Sequence, residues 1–378
     1  MKSLILIIFP PKLNIPLQSG VFSITRPKEY LCHKKDMSIL LNTSFDSLYL
    51  SSHLPDEVEI ESLTPRVTVK ITVADKEVFS SDYYTYYQKV LVHDIRSIVE
   101  SAMLQMGLAI AKFVFTATNM ENFSKTSGDV TVVYSQLKSS EGSEEFLTSH
   151  FLSIRKSALV SQSSPFTLHF YTKAFQQSSH YCIIYYKASY APGQVLSYRS
   201  DFNSKLSDTT TIISVNADYS RFQSILANQN IHGVTITQVH YQVGYREFDI
   251  YFTSDAPSDI FKFNNAFNLQ ETVCLFAAST SKTDISRSEA VQGRMTSYYD
   301  VTTRERHEVE TAPLTFIEAK HLTQLITSQN ISRCIADDEF APVIITDSTP
   351  EVTDNITSPI RMKFTYEYSD QTDFITNE

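Results

Sequence analysis

The chain has 378 residues, 42% hydrophobic and 12% aromatic, with a formal net charge of -10; this fits a folded chain of two or three domains and excludes a disordered one. Its 8 glycines, about 2% against a usual 7%, come no closer than the eleven positions between Gly233 and Gly244, so neither a dinucleotide fingerprint nor a P-loop can be written. An acidic chain whose basic runs stop at pairs such as Lys34-Lys35 is also a poor match for phosphate backbones, and no nucleic-acid partner is expected.

In chain order, Met1-Lys2 followed by Leu4 to Phe9 has the outline of a signal peptide. The apolar run is short, Pro10-Pro11 ends it and no small-x-small site follows, so a first strand and a chain made in the cytosol are expected. Val21–Ile24, Ser38–Leu41 and Leu48–Leu50 read as short strands, and acidic Leu54–Glu61 as an exposed loop. Val67, Val69, Ile71 and Val73 alternate with polar residues, the period of a half-buried strand, and a turn at Ala74-Asp75-Lys76 leads back into Glu77-Val78-Phe79 as a hairpin. After Tyr83, Tyr84, Tyr86 and Tyr87 and a short strand Lys89–Val92, a helix is predicted over 94–106. Its apolar residues Ile95, Ile98, Val99, Ala102, Met103 and Met106 share one face, with Asp94 at the N-cap and Gly107 at the C-cap. Leu108–Phe115 and Asp129–Tyr134 read as strands around a polar loop, Met120–Gly128.

Ser135–Ser149 is rich in Ser, Glu and Lys, and reads as a linker or surface loop with Gly142 at its tip. Beyond it, Phe166–Tyr171, Tyr181–Tyr186, Val195–Tyr198 and Thr210–Val215 read as strands, Asp218–Gln229 as a short helix, and Val234–Tyr241 with Tyr245–Thr253 as a hairpin. In the last third, Asp300–Glu310 and Pro342–Thr346 read as strands, Phe316–Ser328 as a helix and Arg361–Tyr368 as the closing strand. The fold class expected is mainly β (α+β): β-sandwich or barrel-like domains decorated by a few short helices. Boundaries at the Ser135 linker and near Ile260 divide the chain into 1–134, with the helix 94–106, 135–260, and 261–378, with the helix 316–328. No stretch approaches the ~18 apolar residues of a membrane helix, so no membrane insertion is expected.

Little here points to chemistry. Cys32, Cys182, Cys274 and Cys334 are far apart and form no C-x-x-C pair, so free thiols are expected rather than zinc or a disulfide framework. Asp337-Asp338-Glu339 lacks the spacing of a calcium loop and reads as a solvated acidic turn. On a strand, Arg304, Arg306 and Glu308 share a face and can pair along or across it. No H-E-x-x-H or G-x-S-x-G occurs, so no enzyme, no cofactor, no metal site and no catalytic residue are expected. The tyrosines Tyr83, Tyr84, Tyr86 and Tyr87 are the candidate interface: they form an aromatic platform for a partner or glycan, or, on the plainer reading, two face the core and two cover a sheet edge.

From Phe261 onward the chain resembles tail-tip (distal tail-like) structural proteins of Bacteroidetes phages and prophages. The matching features are the aromatic segment Asn265–Glu271, a two-stranded excursion after it, a short helix, and a terminal strand with Phe364-Thr365-Tyr366. The opening unit is similar too: a strand with Glu77-Val78-Phe79, an aromatic segment, then a short strand running into Asp94-Ile95 and a helix. The resemblance implies a virion structural protein of the tail and baseplate, made in the host cytoplasm. It would oligomerise as a ring and join the tail tube and tape measure to receptor-binding proteins. The alternatives are a surface-binding adhesin or glycan-binding module, which the tyrosine segment would serve, and a tail-borne hydrolase, which would need paired carboxylates.

Overall fold

The computed structural model describes residues 39–175, 179–202, 207–336, 339–349 and 360–370. The strands expected at Leu4–Phe9 and Val21–Ile24, the thiol of Cys32, and Asp337 and Asp338 lie outside these residues. The chain is mainly β with few helices, and its buried apolar residues gather in three clusters along the sequence and a fourth drawn from all three.

The first cluster is built by β1 (Leu40–Leu41), β2 (Leu48–Leu50), β3 (Val58–Glu61), β4 (Arg66–Val73), β5 (Lys76–Tyr84), β6 (Lys89–Val92), α1 (Ile95–Gln105), β7 (Ile110–Asn119), β8 (Ser124–Thr126) and β9 (Val130–Val133). One sheet runs β2-β9-β7-β4-β5, with β8 beside β7; a second runs β1-β3-β6. The alternation in β4 does what it implies: Val67, Val69, Ile71 and Val73 are fully buried, and Phe113, Phe115 and Ala117 of β7 fill the same face. The β4–β5 hairpin closes on Ala74 and Asp75, both at positive φ, as a two-residue turn matching the strand twist requires. Helix α1 buries Ile95, Val99, Ala102 and Met103, but Asp94 does not cap it: it sits at φ 63 and its side chain makes no cap hydrogen bond. Two further expectations are corrected. Leu54–Glu61 is no exposed loop, because Leu54, Val58 and Ile60 are fully buried and Glu59 and Glu61 merely alternate with them in β3. The loop Met120–Gly128 folds back on β7 as β8.

The second cluster comprises α2 (Ser143–Ser149), β10 (Ser157–Ser161), β11 (Thr167–Thr172), β12 (His180–Ala188), β13 (Leu196–Phe202), β14 (Thr211–Asn216), α3 (Tyr219–Ala227), β15 (Val234–Val243) and β16 (Arg246–Thr253). Five strands run β10-β16-β15-β12-β13, and β11 pairs with β14. Helix α3 is capped by Asp218, whose carboxylate accepts from the Arg221 amide, and it presses Phe222 and Leu226 onto the sheet. The stretch expected as a linker or surface loop is a loop over 135–142 and then runs into helix α2, whose Leu147 is fully buried.

The third cluster comprises β17 (Asp259–Asn264), β18 (Gln270–Leu275), β19 (Ala277–Gln292), β20 (Met295–Thr311), α4 (Phe316–Thr327), β21 (Ile331–Ala336), β22 (Glu339–Thr349) and β23 (Lys363–Tyr368). They form one sheet, β18-β17-β21-β22-β23-β20-β19. Helix α4 starts on a capping box, Thr315 with Glu318, and buries Ala319, His321, Leu322 and Leu325.

Candidate functional site

The turn between β17 and β18 plugs the place where the three clusters meet. Asn265 shapes it: its Oδ1 accepts from the amides of Phe267 and Leu269. The turn thereby drives Phe267 into an apolar cluster with Leu48, Leu50 and Val133 of the first part and Leu147, Leu152 and Tyr171 of the second. Two further hydrogen bonds hold it, the Gln136 amide donating to the Ala266 carbonyl and the Asn268 side chain to the Leu108 carbonyl. The aromatic segment Asn265–Glu271 thus acts as a contact between parts of one chain.

Beside this plug lies a buried polar network. Glu271 Oε1 accepts from Arg155 Nη2 at 2.5 Å, His321 Nε2 at 2.9 Å and Ser153 Oγ at 3.2 Å, and Oε2 accepts from Asn265 Nδ2 at 3.0 Å. Glu271, Arg155 and His321 are each at least nine-tenths buried. Burial alone would raise the Glu271 pKa, but His321 and Arg155 beside it, with hydrogen bonds from His321 and Asn265, hold the carboxyl well below its usual range. Burial, then the Arg155 charge, pushes His321 below its ordinary value, so at neutral pH the ring is neutral and donates its Nε2 proton. A His–Glu pair is the chemistry of an acid–base couple. Here both carboxylate oxygens are already occupied by protein donors, which makes the group a lock between segments. Arg246 is a second buried cation, 1% exposed. It donates to the carbonyls of Leu147 and Tyr171 and lies 5.4 Å from the Phe170 ring, and burial lowers its pKa to about 10.

Next to the network opens a cleft of about 1020 Å3, walled by the former linker, α4 and the start of β16. Residues 135–156, including Lys138, Phe146, His150 and Arg155, form one side, and Phe316, Ile317, Lys320 and Gln324 of α4 the other.

The four tyrosines end β5 and its following turn. Tyr83 packs against the first core, whereas Tyr84, Tyr86 and Tyr87 are 79%, 76% and 82% exposed. Only one of the four therefore faces inward. The Tyr86 and Tyr87 rings meet edge to face at 4.5 Å, set by positive φ at Tyr87 and Gln88.

The β19–β20 hairpin is the largest projection of the third sheet. Its strands are 16 and 17 residues long, on the order of 50 Å at ~3.3 Å per residue. Among the described residues, only His307–Glu310 of β20 pairs with β23, and from Met295 to Arg306 the strand pairs with β19 alone. Arg306 braces the base, its Nε 2.8 Å from Glu367 and 3.1 Å from Asp284. The turn is Gly293-Arg294, with Gly293 at φ +68. Near the tip Ile285, Val291, Met295, Tyr298 and Tyr299 are more than half exposed. The register places Val291 and Tyr298 on one face and Met295 on the other, and a bulge at Ser288/Glu289 adds twist between tip and base. No helix among the described residues is long and apolar enough to cross a membrane, and no group of three or more potential metal ligands occurs among them.

No known protein family's sequence profile matches the chain, and no curated protein matches it. Among solved structures, it is similar to a chain reported under "Structural insight into host cell surface retention of a 1.5-MDa bacterial ice-binding adhesin", at 11% identity and a TM-score of 0.14, over 73% of this chain and 93% of that one. A likeness at that score carries no argument about function.

Proposed function

We propose that the chain is a structural subunit that works by protein–protein contact, as the resemblance to phage tail-tip proteins implies: a virion component that closes into a ring between the tail tube and the host-recognition parts. The observation that supports this reading is the β19–β20 arm. A two-stranded ribbon is marginal by itself in water, and this one carries large apolar side chains on both faces near its tip. Such a ribbon gains most when a neighbour covers it, and a heterologous contact with a closing rotation makes a ring. The test is to replace residues 284–304 with a two-residue turn and compare both proteins by light scattering and negative-stain microscopy. The intact protein is expected to give rings, and the shortened one to run as a monomer with an unchanged melting temperature. A monomeric intact protein, with no affinity for tail-tube or tape-measure neighbours, would sink the reading.

A second reading, surface or glycan binding, is favoured by the exposure of Tyr84, Tyr86 and Tyr87. It predicts glycan-array signals that Tyr84→Ala with Tyr86→Ala reduces at least about tenfold, the loss of two stacking contacts. Signals indifferent to both substitutions would exclude it.

A further inference from the structure

We propose that the junction cleft binds an acidic polypeptide segment with bulky apolar side chains. The argument begins with charge. The chain has 32 basic and 42 acidic residues, yet the cleft is lined by Lys138, Arg155, Lys156 and Lys320 against one carboxylate, Glu247. Six lysines elsewhere hold carboxylates, among them Lys70, Lys89, Lys112 and Lys282 at 2.6 to 2.8 Å, while Lys76, Lys125, Lys187 and Lys262 are scattered and form no ion pair among the described residues. Lys138, Lys156 and Lys320 have no carboxylate within 4.0 Å among the described residues, and Lys320 lies over the Phe316 ring at 4.3 Å. Arg155, which also lines the cleft, is held by Glu271 and adds no free charge. The three unpaired lysines gathered in one concavity of an acidic protein raise the local concentration of anions.

The rest of the lining settles what kind of anion fits. Phe146, Phe151, Phe267, Phe316 and Ile317 make the walls apolar, and Ile317 is 51% exposed. Several of the polar groups in the lining are committed elsewhere: Ser135 donates to the Leu137 carbonyl, Ser149 to that of Glu145, Thr323 to that of Ala319, and Ser153 to Glu271. A volume of about 1020 Å3 also sits at the upper end of small-molecule sites, ~300–1,000 Å3. Lysine is a point charge on a flexible stem without the bidentate fork that selects phosphate, and suits carboxylates presented along a chain. The arm of a second copy is not the occupant, because it offers no net negative charge: 284–304 carries Asp284, Glu289 and Asp300 against Arg287, Arg294 and Arg304. The inference is therefore independent of the ring.

The test measures fluorescence anisotropy of the full chain with a fluorescein-labelled random Glu–Tyr copolymer. Poly-Glu and a Lys–Tyr copolymer are compared, and tripolyphosphate is added as a competitor. The Glu–Tyr copolymer should bind saturably and more weakly as salt rises, with poly-Glu weaker by about fivefold or more and the Lys–Tyr copolymer silent. Lys138→Glu with Lys156→Glu and Lys320→Glu should weaken binding about tenfold or more, and Ile317→Ser by a few-fold. If the triple Glu variant melts early, the Lys→Gln triple takes its place, with a smaller loss in the same direction. Absence of saturable binding, equal affinity for poly-Glu, displacement by tripolyphosphate at equal charge, or variants that bind like the parent would each overturn the proposal.

Discussion

Glu271→Ala is expected to destabilise the folded chain by about 3–5 kcal/mol, the cost of leaving a buried cation without its partner. The size follows from what the side chain holds. Four donors from three parts of the sequence, Ser153 and Arg155, Asn265, and His321, converge on one carboxylate that is 3% exposed. Removing it strands the Arg155 guanidinium, 8% exposed, with no second carboxylate within 4.0 Å among the described residues. By contrast Lys70 and Glu77, at 2.8 Å but about half exposed on each side, belong to a class worth roughly 0–1 kcal/mol, and Glu77→Ala should hardly move a urea midpoint. Glu271→Gln keeps the shape and an acceptor oxygen and should fall between the two. Joint replacement by Arg155→Met and Glu271→Leu should recover much of the loss, because an apolar pair needs no compensation. A Glu271→Ala loss below about 1 kcal/mol, measured by urea denaturation at neutral pH, would refute the role given to this carboxylate.

Stability should also fall steadily as the pH is lowered from 7 to 4. Burial holds the pKa values of His321, His169 and His307 below the ordinary histidine value, and that of His180, with Arg221 adding to the effect, at about 4. In the unfolded chain these rings take up a proton near pH ~6.5, while in the folded chain they do not. Below ~6.5 the unfolded state therefore binds more protons and gains, and the loss continues until each folded pKa is reached. Glu271 adds to it in the same direction. Its folded pKa is depressed, so its contribution is whole above the unfolded value near ~4.3 and is lost as the pH falls towards the folded one. The urea midpoint should drop through the whole interval, and His180→Gln should flatten the part between pH ~6.5 and the folded value of about 4. A midpoint level from pH 7 to pH 5 would contradict the assignment of neutral buried rings.

What could be read from the sequence follows the physics of burial. Where one face of an element is covered and the other is wet, the period survives in the residues: Val67 to Val73, the α1 face and the β15–β16 hairpin all announced themselves. Where both faces are wet, no period is needed. Ala277–Gln292 reads Ala-Ala-Ser-Thr-Ser-Lys-Thr-Asp and onward, nearly every residue exposed, and no period marks its strand; only the resemblance implies a two-stranded excursion there, while its partner around Asp300–Glu310 is legible. Acidic residues misled at Glu57, Glu59 and Glu61, whose charges drew attention from the buried Val58 and Ile60 between them. Serines misled at 135–149, where a short helix docks through the single buried Leu147. The network was out of reach for a different reason. Arg155, Glu271 and His321 are joined only by the fold, and an isolated buried ionic residue leaves no local spacing to find. Among the tyrosines, composition marked the segment but not which way each ring turned, because the positive φ at Tyr87 and Gln88 breaks the strand alternation.

The junction has a consequence for synthesis. The buried residues of the second core lie within 151–252 and so leave the ribosome before Glu271, and Arg155 lies 6.0 Å from the ring of one of them, Phe166. Until the next segments arrive, that guanidinium has to stay hydrated, so the region around it must remain open on the nascent chain. It can seal only when Glu271 and, fifty residues later, His321 are delivered. A chain cut short before Glu271 would thus leave this guanidinium without the carboxylate that holds it in the finished one. One carboxylate in this way reports that translation has passed its position.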